Sequence, residues 1–521
     1  MFSEKWKRSS GNTFTSGIYK NSAMNFYIGV DIGTSGCKAV VFDENGRQFS
    51  YAHREYDIIS KNDGWAELDT DEVIEKCFCI VKESAGQIAP YSVTGMGISS
   101  QGEAFTMVDK EGKALYYALS SSDVRAQEYA KNWAGEFGEE KLYRITGHTA
   151  HPMFSLFKLQ WIKDNMPELW MKAHKILCFE DLLQYRLGIK DPAIGWPLAG
   201  RTMLFDVTNH SWSKEILDDI GVKRTQLARP LPSGTVAGYV NKEIAKALNL
   251  SEHTFIVTGG HDQPCSALGA GALEPGIAAY TSGTVDCITP AFDKPVFTEM
   301  LKQSNLCTYD HAATGMYATV AFSLTGGNIL KWFRDEFGSA EIELANKINI
   351  DPYELLLNQM PDKPTKLQVL PYFTPTGTPY FDTSARGAII GLDLSTTRGE
   401  ILKALLEGVA FEIRLNLEIL EKSGYGVNEL RVIGGGAKSK VWNQLKADVT
   451  GKPITVLNVT EAGCMGVAML ARATHIKRPV SEVAGKWIKP ISKVMPVSHQ
   501  YYDQKFTSYK ELYPSLKNRF F

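Results

Sequence analysis

The sequence predicts an α/β protein of two or three domains in which one type of structural unit occurs twice. Its 521 residues exceed what one ordinary hydrophobic core accommodates. The first half begins with strand and helix patterns in the order β-β-β-α-β, and the second half opens on another strand, polar glycine turn and strand. Recurrence of this unit predicts a duplicated core.

The composition is that of a globular protein, and it excludes several classes of function. Apolar residues make up 44% of the chain and charged residues 22%. The formal net charge of -2 gives no global attraction to nucleic acid or to an anionic membrane. No apolar stretch approaches the roughly 18 residues that a membrane span requires. We therefore expect small-molecule partners, with neither nucleic acid nor membrane.

The first 23 residues are polar and lack the apolar segment of a secretory signal. A second methionine, Met24, directly precedes the first strand. We interpret residues 1–23 as a disordered extension, or as the product of an upstream start codon. The eight cysteines are scattered without zinc-site spacing, and we interpret them as reduced, buried thiols of a cytoplasmic protein.

The first strand pair, within residues 27–43, contains a polar turn with features of a phosphate site. Glycines allow close approach of a ligand, and free turn amides with hydroxyls suit phosphate oxygens. An acid at the strand end, Asp31, is suited to hold magnesium. The candidate phosphate-binding residues are Gly33, Thr34, Ser35 and Lys38. A plain hairpin with a glycine turn, and a solvated strand lysine, remain the alternatives here.

Polar residues follow the predicted strand 93–99, where ligands commonly bind in α/β sheets. Gln101 and Glu103 have side chains suited to the hydroxyl groups of a sugar. Asp123 opens a predicted helix and is interpreted either as its N-cap or as a carboxylate facing the substrate. Ordinary solvated loop residues are the alternative for Gln101 and Glu103.

A second glycine turn follows the predicted strand 255–258 and carries the acid Asp262. The next segment, 266–271, is a helix of small residues, and its N-terminus carries positive potential. Gln263 directly follows the acid. His261 directly precedes it, and we interpret this lone histidine as structural.

The second half carries a turn with the chemistry of the first one. Residues 282–284 join two predicted strands, as residues 33–35 do, and a triple glycine follows the strand 430–433. Two such turns suggest that one polyphosphate is held between two domains. The candidate nucleotide-binding residues in these segments are Ser282, Gly283, Thr284, Gly435 and Gly436. An unrelated polar turn is the alternative.

The remaining pattern predicts helices over residues 154–190 and 400–420 and a loop over 196–202. We expect an N-terminal domain over 24–271, a C-terminal domain over 272–490 and a tail over 491–521.

Together, these motifs resemble the FGGY carbohydrate kinases, which belong to the actin-like ATPase superfamily. The resemblance runs from about residue 27 to about residue 473 and is carried by an ordered set of motifs. These motifs lie at residues 29–38, 259–263, 282–284, 434–439, 442–444, 447–448, 461–462 and 466. The dinucleotide motif GxGxxG does not follow the first strand, and the P-loop pattern GxxxxGK[ST] is missing.

The resemblance implies two ribonuclease-H-like domains with a cleft between them, and ATP and Mg²⁺ as cofactors. It implies that Asp262 is the catalytic base, which accepts the proton of the attacking sugar hydroxyl. Asp31 matches the aspartate that holds magnesium. Thr34, Ser35 and Thr284 match phosphate-contacting positions, and Gly435, Gly436 and Ala437 match the loop on the adenosine side. Gly326 is a further candidate for ATP contact. The sugar contacts would come from Gln101, Glu103, Asp123, Asp262 and Gln263. Family members often form dimers, so a homodimer is an expectation by analogy.

The opening motif is more similar to xylulokinases than to glycerol kinases, but the sugar end departs from both. Xylulokinases carry Gln-Met-His-Gly, and glycerol kinases Gln-Arg-Glu, where this chain has Gln-Gly-Glu-Ala at 101–104. Many members have a tryptophan at the position of Ser121. We hypothesise that Gly102 and Ser121 leave room for a bulkier or differently oriented substrate. We expect a kinase of a ketose such as xylulose; a polyol kinase or a non-catalytic nucleotide-binding sugar sensor are the alternatives.

Overall fold

The computed structural model describes residues 24–520. The predicted extension over residues 1–23 lies outside the described residues. The strands are β1 (Phe26–Ile32), β2 (Gly36–Asp43), β3 (Gln48–Glu55), β4 (Glu67–Leu68), β5 (Val93–Ser100), β6 (Phe105–Val108), β7 (Ala118–Leu119), β8 (Lys175–Cys178), β9 (Ala193–Gly195), β10 (Phe205–Asp206), β11 (Ser211–Trp212), β12 (Arg229–Leu231), β13 (Val236–Tyr239), β14 (Phe255–His261), β15 (Ile277–Ser282), β16 (Asp286–Phe292), β17 (Tyr309–Asp310), β18 (Tyr317–Ala318), β19 (Ala321–Ser323), β20 (Gln368–Leu370), β21 (Ala388–Ile390), β22 (Glu429–Ile433), β23 (Ile454–Leu457) and β24 (Pro490–Val494).

The helices are α1 (Thr70–Gly86), α2 (Gln127–Phe137), α3 (Glu139–Thr146), α4 (Ser155–Asn165), α5 (Pro167–Lys172), α6 (Phe179–Arg186), α7 (Trp196–Gly200), α8 (Lys214–Ile220), α9 (Lys242–Ala247), α10 (Asp262–Gly269), α11 (Glu299–Gln303), α12 (Gly327–Phe337), α13 (Ser339–Ile348), α14 (Pro352–Leu357), α15 (Arg398–Lys422), α16 (Lys440–Thr450), α17 (Ala462–Ile476), α18 (Val480–Trp487) and α19 (His499–Phe520). Short 3₁₀ turns cover Arg224–Gln226 and Gly435–Lys438. Within residues 24–520, none of these helices is both long and apolar enough to cross a lipid bilayer.

The first half is built on a six-stranded sheet of order β13-β14-β5-β1-β2-β3. Strands β1, β2 and β3 pair antiparallel in chain order, β5 pairs in parallel with β1, and β14 pairs in parallel with β5. Strand β1, in the interior of the sheet, is mostly apolar because both of its faces are covered. The predicted β-β-β-α-β order is therefore confirmed.

The second half repeats this arrangement in the sheet β17-β18-β16-β15-β22-β23-β24. Strand β15 pairs antiparallel with β16 and parallel with β22, as β1 does with β2 and β5. Strand β23 then adds in parallel to β22, as β14 does to β5. The predicted α/β class and the duplication of the core are both confirmed.

Helix α17 packs so closely on the first sheet that only glycine fits at the contact points. A Cβ at Gly29 of β1 would lie 1.9 Å from the carbonyl oxygen of Cys464, and one at Gly97 of β5 would lie 2.3 Å from that of Val467. Helix α10 meets α17 in the same way, because a Cβ at Gly269 would lie 1.9 Å from the carbonyl oxygen of Ala462. A helix from the second half of the chain thus belongs to the core beside the first sheet.

Three segments differ from the pattern that the sequence predicts. The helix predicted over 154–190 is interrupted, because Pro167 disfavours helical geometry at Met166, and strand β8 lies within the range. The predicted loop 196–202 contains α7, which has a proline in its first turn. The predicted tail over 491–521 forms most of β24 and all of α19, whose aromatic side chains pack against Phe411 of α15.

The packing of α17 on β1 predicts a large effect of a single methyl group at residue 29. We expect Gly29→Ala to lower the free energy of unfolding by about 3 kcal/mol or more, because the added Cβ collides with rigid helix backbone. Thermal unfolding followed by circular dichroism measures the change.

The matched control is Gly135→Ala in α2, where no atom lies within 4 Å of the added Cβ. That variant should be as stable as the wild type or more stable by about 0.5–1 kcal/mol, since alanine favours the helix. An unaltered unfolding midpoint in Gly29→Ala would contradict the close packing of α17.

Candidate active site

The first polar turn joins β1 to β2, and the side chains of Tyr56 and Gln101 hydrogen-bond to its backbone. The amide of Gly33 donates to the carbonyl oxygen of Gly36 at 2.9 Å. The carbonyl oxygen of Gly33 accepts from the Tyr56 hydroxyl at 2.5 Å and from Gln101 Nε2 at 2.9 Å. Thr34 is half-buried and Ser35 is exposed. The turn is thus fixed from the protein side while its tip faces outward, as a phosphate site requires.

Three parallel strands end at the same level and bring the predicted site residues together. Ile32 of β1 and His261 of β14 both pair with Ser100 of β5. The residues that follow these three are Gly33, Asp262 and Gln101. The register therefore places the first polar turn, the predicted base Asp262 and the predicted sugar contact Gln101 next to one another. They lie at the strand ends where ligands bind in such sheets.

Asp31 lies between the strand ends and the N-terminus of α17. Ser99 Oγ donates to Asp31 Oδ1 at 2.7 Å, and a Cβ at Gly463 would lie 3.2 Å from the same oxygen. Burial raises the pKa of the Asp31 carboxyl, while the Ser99 hydrogen bond and the charge of Lys38 act in the opposite direction. A partly buried carboxylate of this kind fits a hard cation such as magnesium.

Among residues 24–520, no group of three or more histidine, cysteine or acidic side chains is arranged to hold a metal ion. A magnesium ion at Asp31 would therefore take its other ligands from water and from the phosphates of a nucleotide, as magnesium commonly does.

Lys38 is tied to the second half of the chain. Its ammonium forms an ion pair with Glu461 at 2.8 Å, immediately before α17. Both side chains are partly exposed, so the pair contributes little to stability. This contact gives Lys38 a structural partner, and its predicted phosphate contact stays a prediction.

Asp262 begins α10 directly after the end of β14. Its side chain is 29% exposed, and Oδ1 lies 3.1 Å from His261 Nε2 without forming an aligned hydrogen bond. Burial raises the pKa of Asp262 to about 7; the charges of Asp31 and Glu103 act in the same direction. A carboxyl group with this pKa exchanges a proton near neutral pH, which suits a general base.

Three oxygens at this end of the sheet are buried and accept no hydrogen bond from the described residues. They belong to Gln101 (Oε1), Asp262 (Oδ1) and Gln263 (Oε1). Buried acceptors without donors are costly, and the hydroxyl groups of a ligand would satisfy them.

A cluster of polar side chains that sequence reasoning did not assign lies next to Asp262. Arg201, after α7, forms a buried ion pair with Glu103, whose backbone has a φ of 60°. Tyr309 of β17 hydrogen-bonds through its hydroxyl to His261 Nδ1 at 2.9 Å. His148 hydrogen-bonds to the carbonyl oxygen of Thr146, and burial lowers its pKa to about 3. Only the proximity of His261 to Asp262 in the chain gave a signal for this cluster.

The hypothesis that Gly102 leaves room for a bulkier substrate is wrong for this residue. A Cβ at Gly102 would lie 2.9 Å from His261 Cδ2 and 3.4 Å from Arg201 Nε. The space that the missing side chain leaves is therefore filled by two protein side chains.

Asp123 is part of an internal ion-pair network. Its oxygens accept from the amide of Ala66 at 2.8 Å and from Arg125 Nε at 2.8 Å, and Arg125 also pairs with Glu67. The guanidinium stacks 3.7 Å from the ring of Trp65. The interpretation of Asp123 as a helix N-cap is wrong, because α2 begins only at Gln127. Both carboxylate oxygens accept hydrogen bonds within the protein. The predicted contact between Asp123 and a substrate stays a prediction.

The second polar turn, between β15 and β16, contacts two further glycine-rich segments. The carbonyl oxygen of Gly283 accepts from the amide of Gly327, at the start of α12, at 2.7 Å. A Cβ at Gly436 would lie 2.2 Å from Ser282 Oγ, while one at Gly435 would meet no atom within 4 Å. The candidate nucleotide residues of this half, including Gly326 before α12 and Ala437 in the glycine loop, are thus brought to one place.

Two family models match the chain, and together they cover more than half of it. They describe the N-terminal and C-terminal domains of the FGGY family of carbohydrate kinases, and they match residues 26–269 and 278–475. The chain belongs to the FGGY family of carbohydrate kinases. It is therefore a sugar kinase, an enzyme that uses ATP to phosphorylate its substrate, with the two actin-like domains that the resemblance implied.

Individual relatives differ in the substrate that they are named for. The chain is 26% identical to the xylulose kinase of Bacillus subtilis over 504 residues, which covers 95% of this chain and 98% of that one. It is 28% identical to the gluconokinase of the same organism, covering 86% and 87%. The crystal structure of ligand-bound xylulose kinase from Lactobacillus acidophilus has the same fold, with a TM-score of 0.86, 23% identity and coverage of 95% and 99%.

The raised pKa of Asp262 predicts that this residue destabilises the fold at alkaline pH. Its pKa rises from an ordinary value of 3.8 to about 7, so unfolding becomes easier as the pH increases between these values. We expect Asp262→Asn to be more stable than the wild type at pH 8, by at most about 4 kcal/mol, and equally stable at pH 4. Thermal unfolding of both proteins at the two pH values tests this. A variant that is less stable than the wild type at pH 8 would contradict the prediction.

Proposed function

We propose that this kinase phosphorylates a neutral ketose such as xylulose or a related pentulose or hexulose, with Asp262 as the catalytic base and Asp31 as the residue that holds magnesium. The observation that carries the proposal is the position of Asp262. It lies at the shared end of three strands, beside the phosphate turn, with an unpaired oxygen and a pKa of about 7.

In the proposed reaction, a sugar hydroxyl attacks the γ-phosphorus of ATP while Asp262 accepts its proton. A bond forms between the sugar oxygen and phosphorus, and the bond between phosphorus and the β,γ-bridging oxygen breaks to release ADP. Magnesium would neutralise charge on the phosphates when bound. The hydroxyls of Thr34, Ser35 and Thr284 and the amides of both turns would position the phosphates. Positioning and charge stabilisation supply most of the catalysis in such transfers.

The sugar end is the region around Gln101, Glu103 and Asp262, and the charges there favour a neutral substrate over a sugar acid. Arg201 is paired with Glu103, and Lys158 donates to the carbonyl oxygen of Ser120 at 2.6 Å. Burial lowers the pKa of His148 and of His261, so both rings are neutral at pH 7. A carboxylate on the substrate would add a negative charge beside Asp262 without a free cation among these residues.

A polyol kinase is the second candidate, and the buried pair of Arg201 and Glu103 supports it. A guanidinium next to a carboxylate offers a donor and an acceptor at one place, which suits two adjacent hydroxyl groups. Ketoses and polyols both carry such pairs.

Association of two copies of the chain, which the family resemblance implies, also stays a prediction.

A substrate panel separates these candidates. In a coupled assay of ADP release, we expect kcat/KM for xylulose or another ketose to exceed that for gluconate by at least about 10-fold, since an unpaired charge is rejected at the sugar end. Turnover of glycerol or erythritol alone would favour the polyol alternative. Turnover confined to gluconate would show that the charge argument is wrong.

Replacement of the proposed base tests the mechanism. We expect Asp262→Asn to lower kcat by roughly 10²–10⁴-fold, because the amide cannot accept the hydroxyl proton. Affinity for ATP, measured by calorimetry, should persist in the variant. The exposed Asp393→Asn, in the loop before α15, is the matched control and should retain wild-type turnover. Wild-type kcat in Asp262→Asn would remove Asp262 from the role of base.

A further inference from the structure

A fully buried lysine lies beneath the second polar turn. Lys446, on α16, has no exposed surface, and its ammonium donates to Ser282 Oγ at 2.5 Å. The ammonium also lies 4.1 Å from the ring centroid of Trp442 and 4.6 Å from that of Tyr280. A lysine with this degree of burial is rare unless it is paired with an acid.

Lys446 forms no direct ion pair with an acid in the part of the chain that the structure describes. The negative charge of Asp286, on β16, acts on Lys446 and favours its charged form. The Ser282 hydroxyl is close to both the ammonium and the carboxyl group. Asp286 accepts from the Tyr280 hydroxyl at 2.6 Å, and its other oxygen has no donor among the described residues. Burial lowers the pKa of Lys446 to about 8, so the side chain remains largely charged at neutral pH at a cost in stability.

The surroundings of Ser282 connect this charge to the nucleotide side. Ser282 opens the second polar turn, and Gly434 and Gly436 approach its backbone and its hydroxyl so closely that a Cβ would lie 2.7 Å and 2.2 Å away. A single side chain, that of Ser282, therefore separates the ammonium from the meeting point of the turn and the glycine loop. A neutral side chain would fill the same space without the cost of a buried charge.

We propose that Lys446 is a positioning residue for ATP, whose buried positive charge holds Ser282 and favours the polyphosphate at the second turn. The proposal rests on the nucleotide site of the proposed function, and it adds a residue that no sequence motif marked. Since the polyphosphate is an anion, its binding stabilises the charged form of the lysine, and the affinity for ATP falls once the lysine loses its proton.

The pH range of this effect follows from the groups around the ammonium. Asp286 on β16 and the hydroxyl of Tyr280 on β15 are the titratable groups that face it, and burial keeps the pKa of Tyr280 well above its usual value. Asp262, whose pKa is about 7, also gains negative charge over the range from pH 7 to pH 9, so the contribution of Lys446 is the difference between the wild type and a variant that lacks the lysine. We expect wild-type affinity for ATP to decrease over this range.

The variant Lys446→Met tests the proposal by calorimetric titration with ATP, ADP and adenosine, with magnesium present. We expect the affinity for ATP and ADP to fall about 3- to 10-fold at pH 7, and the affinity for adenosine to stay the same. The decrease between pH 7 and pH 9 should be smaller in the variant than in the wild type, and the remaining decrease comes from Asp262. Thermal unfolding shows whether the variant folds, since removal of the buried cation saves its desolvation cost while Asp286 loses the charge that faces it.

The matched control is Lys403→Met, which removes another buried lysine of the same half. Lys403 donates to the carbonyl oxygens of Pro361 and Asp362, and this variant should bind ATP as the wild type does. Equal ATP affinity and equal pH dependence in Lys446→Met and the wild type would overturn the role of Lys446 alone. If Lys446→Met does not fold, a wild-type affinity that is constant from pH 7 to pH 9 overturns it. A wild type that binds no ATP overturns the proposed function and this role together.

Discussion

The close contact of helix α17 with strands β1 and β5 is the constraint on which the site depends. Glycine at residues 29 and 97 lets the helix backbone touch the sheet. This contact brings the N-terminus of α17, at Gly463, to Asp31, and it brings Glu461 to Lys38. One packing interaction between distant parts of the chain therefore joins the two halves at the candidate active site.

The electrostatics of the site follow from burial next to these strand ends. The charge of Asp31 raises the pKa of Asp262, and burial is the largest cause of the raised pKa of both carboxyl groups. Cations close to the sugar end are engaged by protein acceptors, and the nearby histidines are neutral. The proposed sugar site thus combines a carboxyl group whose pKa is about 7 with unpaired acceptors that suit hydroxyl groups. The second half contributes a buried cation, Lys446, beside the proposed nucleotide site.

Much of the fold was predictable because its signals are local. Strand patterns, glycine turns and the repeated strand–turn–strand unit indicated an α/β protein with a duplicated core, and the sheets have this order. Errors arose where a local pattern is ambiguous. Apolar periodicity over residues 154–190 does not reveal the break at Pro167 or strand β8. The polar segment after residue 490 gave no sign that α19 buries Tyr502 and Tyr509.

The sequence by itself determined the family, the two polar turns and the candidate acids Asp31 and Asp262, because each is marked by neighbouring residues in the chain. Only the tertiary structure brought Arg201 to Glu103, Tyr309 to His261 and Lys446 to Ser282. It also showed that Arg201 and His261 fill the space beside Gly102. These contacts join residues separated by 48 to 164 positions. Such pairs depend on how helices and strands pack, and local periodicity carries no information about that packing.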